Sequence, residues 1–162
     1  MVFRKIMFIV NPAAGNGKTG KFWPKIENHL LSAGLDFQVL YTKGPGEATL
    51  LTKNALREGY DCIAAVGGDG TINEVVNGFY NNLIRINKNA IFTAVPMGTG
   101  SDFSRVVSFN SKSITSIWSS ERVIKTDLIE ATFSNWTGST EKRLFLNIAD
   151  LGLGCETALR VN

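Results

Sequence analysis

Eight consecutive residues, Gly67-Gly68-Asp69-Gly70-Thr71-Ile72-Asn73-Glu74, carry the most chemical information in this chain. Glycines let backbone amides come close to a ligand because no Cβ stands in the way. Thr71 reads as a helix N-cap, and Glu74 follows three residues later, the spacing of a capping box. A helix starting there aims its N–H groups at the space left by the glycines, and that geometry favours phosphate. Asp69 is the one carboxylate between the glycines. It would repel a bare phosphate, so it makes sense beside Mg2+ or beside a hydroxyl that must lose a proton.

Four elements of one kind and three of another are needed to position this loop. Directly before it, Cys62-Ile63-Ala64-Ala65-Val66 is a short apolar run bounded by turn residues, and 61–66 reads as a buried strand. Strands are also expected at 5–10, 36–41 and 91–95. Helices are expected at 20–33, ended by Gly34, at 46–57, ended by Gly59, and at 71–79. The alternation predicts an α/β fold of three layers, a parallel sheet with helices on both faces. Ligands of such sheets bind at the carboxyl ends of the strands. Four polar or glycine-rich segments fall there: Asn11-Pro12-Ala13-Ala14-Gly15, Thr42, the Gly67 to Glu74 loop, and Gly98-Thr99-Gly100-Ser101-Asp102. Their coincidence at one rim points to a shared phosphate site.

Two glycine motifs fail their context. Gly15-Asn16-Gly17-Lys18-Thr19-Gly20 matches the dinucleotide fingerprint, but Asn11 to Ala14 separate it from the strand, and Tyr41-Thr42-Lys43 stands where an acidic residue is required. Gly17-Lys18-Thr19 resembles the end of a P-loop, but Pro12 occupies the position of that motif's first glycine. Lys18 and Lys21 read as solvated loop lysines, with attraction of phosphate as the alternative. His29, the only histidine, reads as a surface residue without a catalytic partner, and Trp23, Trp118 and Trp136 as packing residues. Asp127 is open between a functional carboxylate and strand-edge polarity.

Composition narrows the classes. The chain has 162 residues, 44% hydrophobic and 19% charged, with a formal net charge of +3. That is a globular composition, and scattered lysines and arginines give no case for nucleic acid. Cys62 and Cys155 lie far apart and show no disulfide framework, which points to a reducing cytoplasm. No segment approaches the roughly 20 apolar residues of a membrane span. Asn135-Trp136-Thr137 matches a glycosylation acceptor by chance. Beyond the sheet, a short helix is expected at 111–119, then strands at 123–133 and 144–149 joined by a polar connection at 134–143. The chain stops within an apparent element, Glu156 to Val161, as a fragment of a longer protein would.

At these residues the chain resembles the catalytic domain shared by diacylglycerol kinases, sphingosine and ceramide kinases, and bacterial lipid kinases. The matching segments are Asn11 to Gly15, Gly67 to Glu74, Pro96-Met97-Gly98-Thr99-Gly100-Ser101-Asp102-Phe103, Asp127, and Phe145-Leu146-Asn147-Ile148-Ala149-Asp150-Leu151-Gly152. They cover almost the whole chain in the expected order. Ser101 stands where the family usually has asparagine, and Gly154 where an acidic residue is common.

The resemblance implies an ATP site built from Asn11, Pro12, Ala13, Ala14, Gly15, Thr42, the Gly67, Gly68, Asp69, Gly70, Thr71, Asn73 and Glu74 loop, and Thr99. In it the amides of Gly67, Gly68 and Gly70 hold phosphates, and Asn11 and Thr99 fix the nucleotide. Asp69 is the catalytic residue and orients Mg2+ or the acceptor hydroxyl beside the γ-phosphoryl group. The implied partners are ATP and a lipid with a free hydroxyl at a membrane surface, with the protein cytoplasmic and peripheral to the membrane. Residues 1–122 would form the ATP-binding domain, and 123–162 would cross toward a β-rich second domain that holds further metal ligands and the proton acceptor. The piece alone would then be weakly active or inactive. Two alternatives stay open: a nucleotide kinase of the NAD-kinase type, which shares the Gly-Gly-Asp-Gly-Thr loop, and a non-catalytic nucleotide-binding regulatory module. Diacylglycerol, a long-chain base, an undecaprenol-like alcohol and phosphatidylglycerol are equally compatible acceptors, and oligomeric state is silent.

Overall fold

The computed structural model describes residues 5–97, 123–135 and 137–146. The chain divides into two compact units, Met1–Thr126 and Asp127–Asn162.

The first unit holds a four-stranded parallel sheet of β1 (Ile6–Val10), β2 (Phe37–Tyr41), β3 (Cys62–Gly67) and a later strand, β6 (Ile91–Pro96), in the order β2-β1-β3-β6. Three helices connect them: α1 (Lys18–Ser32), α2 (Glu47–Arg57) and α3 (Asp69–Gly78). β1 and β3 are buried along their whole length. That is why both read as unbroken apolar runs, the pattern of strands covered on two faces. On one face Ile6, Phe8 and Val10 meet Cys62, Ala64 and Val66 beneath Trp23 and Leu30 of α1. Phe8 lies 5.0 Å from the Trp23 ring and 4.9 Å from Phe37. Such pairs add about 0.5–1.5 kcal/mol each beyond burial. The other face is covered by α2 and α3, whose Ala48, Ala55, Leu56, Ile72, Val75 and Val76 are buried. α2 and α3 pack tightly at Gly78, where an added Cβ would come within 2.4 Å of the Thr52 Cβ.

Two helices begin earlier than the sequence predicts. α1 starts at Lys18 rather than 20, after three successive left-handed residues, Gly15, Asn16 and Gly17 (φ 62°, 56° and 79°). Asparagine tolerates that region better than other side chains, so this Gly-Asn-Gly run encodes a tight corner. α3 starts at Asp69 with Gly68 as its N-cap, so Thr71 is inside the helix and not its cap. The expected capping box is therefore corrected: the Glu74 carboxylate turns to the N-terminus of α2 instead, accepting from the Gly46 amide at 2.8 Å and the Ala48 amide at 3.1 Å.

A small hairpin of β4 (Tyr80–Asn81) and β5 (Ile84–Arg85) follows α3 and was not evident in the apolar pattern, because each strand is only two residues long. Its turn residues Asn82 and Leu83 both have positive φ.

In the second unit β7 (Ile129–Ser134) pairs antiparallel with β8 (Thr140–Phe145). The connection is five residues, not ten: Asn135 Oδ1 accepts from the Thr137 and Ser139 amides, both at 3.0 Å, and closes the turn so early that β8 begins at Thr140. That use of the Asn135 side chain accounts for an asparagine here without glycosylation. Asp127 is exposed and precedes β7 rather than lying within a strand. The expected helix at 111–119 and the residues after 146 lie outside the described residues.

Cys62 gives the fold a chemical reporter. Its thiol is fully buried, and burial first, then the Asp61 carboxylate, pushes its pKa up to about 12. An unfolded thiol ionises near 8.5. Between those values the unfolded chain releases a proton that the folded chain keeps, so the Cys62 contribution to stability falls as pH rises through about 8.5–12. We expect Cys62 to resist iodoacetamide at pH 8.5 until urea unfolds the protein, as peptide mass mapping would read.

Candidate active site at the carboxyl edge of the sheet

Every parallel strand runs in the same direction, so the segments after β1, β2, β3 and β6 leave from one edge. Backbone bonds continue the ladder past the strand ends and tie three of these exits to neighbouring strands. The Asn11 amide donates to Val66 C=O at 2.9 Å, the Thr42 amide to Val10 C=O at 2.9 Å, and the Met97 amide to Gly67 C=O at 2.8 Å. The first and third strand exits also touch through side chains. Asn11 Nδ2 donates to Thr71 Oγ1 at 3.0 Å, while Asn11 Oδ1 accepts from the Ala13 amide at 3.0 Å. These two bonds use half of the four an asparagine amide can make. Thr71 is 5% and Thr42 8% exposed, so both hydroxyls are held at the floor of this edge rather than in solvent.

The glycines differ in their reasons. A Cβ on Gly67 would meet Thr71 Oγ1 at 2.6 Å, so this glycine makes room for the helix that follows. A Cβ on Gly70 would meet nothing within 4 Å, and the residue is exposed. Nothing in the described protein demands glycine at 70; a close approach by a ligand would. Gly15 is constrained twice, by φ of 62° and by a Cβ that would lie 2.7 Å from Met97 C=O. Gly15→Ala should therefore cost about 1–3 kcal/mol, read as a lower urea midpoint with an unchanged slope.

The three helix N-termini at this edge are not equivalent. At α1 the loop itself supplies acceptors: the Lys18 amide donates to Gly15 C=O, Thr19 to Ala14 C=O and Gly20 to Pro12 C=O, at 3.0–3.2 Å. At α2 the Glu74 carboxylate takes the Gly46 and Ala48 amides. α3 begins at Asp69 behind its N-cap Gly68 with no side-chain cap, and its backbone ladder starts with the Ile72 amide donating to Gly68 C=O. The amides of a first helical turn have no partner inside the helix. The end of α3 thus suits an anion, and half-buried Asp69 is its first residue. Asn73 sits one turn along on the same side and accepts the Asn77 side-chain amide.

Of the residues expected at the site, the structure brings together Asn11, Pro12, Ala13, Ala14, Gly15, Gly67, Gly68, Asp69, Gly70 and Thr71 at adjoining strand exits, with Thr42 at the next exit and Asn73 beside Asp69. Glu74 is placed between α3 and α2. Thr99 lies outside the described residues. Met97, named in the sequence only within the matching segment Pro96 to Phe103, has a role at this edge that the sequence did not give it: its amide is bound by Gly67 C=O and its own carbonyl lies against Gly15.

A family model, the diacylglycerol kinase catalytic domain, matches residues 5–133. The chain belongs to this family. The diacylglycerol kinase of Staphylococcus carnosus (strain TM300) is 34% identical over 104 residues, 64% of this chain and 33% of that protein. Sphingoid long chain base kinase 5 of Saccharomyces cerevisiae is 36% identical over 104 residues, 62% of this chain and 15% of that protein. A crystal structure of a diacylglycerol kinase from Bacillus anthracis str. Sterne superposes with a TM-score of 0.65 at 30% identity, covering 86% of this chain and 48% of that one. A second structure from that organism gives 0.66 at 32% identity, covering 82% and 44%. The chain therefore spans about a third of the length of its bacterial curated relative. The diacylglycerol kinase fold expected from the sequence, a parallel sheet between helices, is the fold observed.

Proposed function

We propose that the protein is a lipid kinase that transfers the γ-phosphoryl group of ATP to a lipid hydroxyl, and that this chain carries its nucleotide-binding part. The observation that carries the reading is the uncapped N-terminus of α3 beside Asp69, on a family background whose named relatives phosphorylate diacylglycerol and long-chain bases. Phosphates would lie on the amides of Gly68 and Gly70 and the buried end of β3 at Gly67. Asn11, held by Thr71 and by the Ala13 amide, would orient the nucleotide together with Pro12, Ala13, Ala14, Gly15, Thr42, Asn73 and Thr99.

Phosphoryl transfer asks mainly for positioning and charge neutralisation. Among the described residues no group of three carboxylate, histidine or cysteine side chains gathers to hold a metal. A single carboxylate fits Mg2+ all the same, because that ion is commonly held by one or two carboxylates and the substrate phosphates. Bound so, Mg2+ would neutralise the charge that builds on the phosphates. Asp69 would hold the metal or the acceptor hydroxyl in line, and the amides of α3 would fix the phosphates against it.

Exposed Lys18, Lys21 and Lys25 recur at helical spacing along α1 with exposed Phe22 among them. That face supports a protein peripheral to an anionic membrane surface; on the lipid-kinase reading it would work in phospholipid biosynthesis on the cytoplasmic side. Residues 1–122 would serve as the ATP-binding domain, and 123–162 would begin a second, β-rich domain. The intact protein should phosphorylate diacylglycerol, a long-chain base or another lipid alcohol in mixed micelles with Mg2+ and labelled ATP. Transfer to NAD with none to any lipid alcohol would overturn the reading in favour of a nucleotide kinase.

A further inference from the structure

Glu74 sits in the loop motif that the family reading assigns to the nucleotide, yet its carboxylate is committed elsewhere. Oε1 accepts the Gly46 amide at 2.8 Å and Oε2 the Ala48 amide at 3.1 Å. The Glu74 carbonyl also accepts from Thr49 Oγ1 at 2.9 Å. Three bonds thus clasp the middle of α3 to the first turn of α2. α2 is preceded by the segment Thr42 to Gly46, which leaves the site edge at Thr42; one end of that segment is held on β1 by the Thr42 amide and the Val10 carbonyl, and the clasp fixes the other, Gly46, on α3.

We propose that Glu74 is a positioning residue for the nucleotide: it fills the N-terminus of α2 with the protein's own carboxylate, leaving α3 to receive phosphate, and it anchors on α3 the Gly46 end of the segment that follows Thr42. This deepens the lipid-kinase reading and rests on it. The geometry supplies the reasons. α1, α2 and α3 all begin at one edge of the sheet, and each N-terminus attracts anions. α1 is satisfied by its own loop carbonyls. An unfilled α2 would compete with α3 for the triphosphate. A fixed carboxylate with two charge-assisted bonds removes that competitor. The clasp lies on one side of α3, whereas Asp69 opens its first turn, so Glu74 acts through the segment it holds and not by touching the reacting atoms.

The test uses the intact protein with Glu74→Ala, Glu74→Gln and wild type. Each is titrated with a non-hydrolysable Mg·ATP analogue, followed through steady-state transfer to diacylglycerol, and measured for amide exchange at Gly46 and Ala48. Glu74→Ala should weaken analogue binding and raise KM for ATP about tenfold with kcat within about twofold. Exchange at both amides should quicken. Glu74→Gln keeps one good acceptor oxygen and should recover roughly a third of the lost affinity on a logarithmic scale. Unchanged KM and analogue affinity alongside faster exchange would make the clasp merely structural and overturn the proposal. So would a loss confined to kcat. If Glu74→Ala does not fold, Glu74→Gln alone decides by the same split. Wild type that does not bind the analogue at all would instead sink the kinase reading itself, a result distinguishable from failure of the clasp.

Discussion

Asp69→Ala is expected to slow lipid phosphorylation by roughly 10³-fold, within the range general acid–base and metal-positioning groups supply. Nucleotide affinity should stay within about threefold of wild type, because the phosphates are held by backbone amides that the substitution leaves in place. Asp69 is half-buried and is the first residue of α3. Removing it spares the helix, whose N-cap is Gly68 and whose packing comes from Thr71, Ile72, Val75 and Val76. Coupled assays for ADP release, with calorimetry for binding, separate the two quantities. Full turnover by Asp69→Ala would remove it from the chemistry. Intact ATP binding and output would favour a regulatory module over an enzyme.

A large stability effect is expected at Gly78→Ala. The added methyl would lie 2.4 Å from Thr52 Cβ, 2.7 Å from Thr52 Cγ2 and 2.8 Å from Thr49 C=O. The last is backbone and cannot rotate away, so α2 and α3 must separate. Overpacking of this kind costs about 1–3 kcal/mol, or roughly 3–10 °C of melting temperature in a protein of this size. Thr52→Ala provides a partner test. The Thr52 hydroxyl is buried with no hydrogen-bond partner among the described residues, so its removal relieves an unsatisfied donor and makes space. The double substitution Gly78→Ala/Thr52→Ala should recover part of the loss, and the thermal melts of all four proteins give the coupling. Because α2 and α3 carry the two halves of the Glu74 clasp, Gly78→Ala should also weaken nucleotide binding.

The sheet was legible because its strands are buried on both faces: Ile6 to Val10 and Cys62 to Val66 admit no reading but a core strand. The loop after β3 was legible because three glycines around a carboxylate have few other uses. The capping box was misread for a reason of tertiary origin. Thr71 and Glu74 have the right spacing, but Asn11 claims the threonine from 60 positions away and α2 claims the glutamate from 28 and 26 positions away. Local spacing cannot register a competitor so distant in sequence. The hairpin of β4 and β5 escaped because two-residue strands carry no periodicity, and the tight turn at Asn135 because its closure depends on one side chain receiving two amides.

The peptide group of Met97 has a consequence for biosynthesis. Its N–H is bound by Gly67 C=O, and its C=O lies where only a glycine at 15 can approach it. During translation the segments around 15 and 67 emerge first and wait for the strand that ends at Pro96. A nascent chain stalled before that point would hold the glycines and Asp69 without the tie that fixes them, so capture of an immobilised nucleotide by ribosome-bound chains should switch on only once this strand has cleared the exit tunnel.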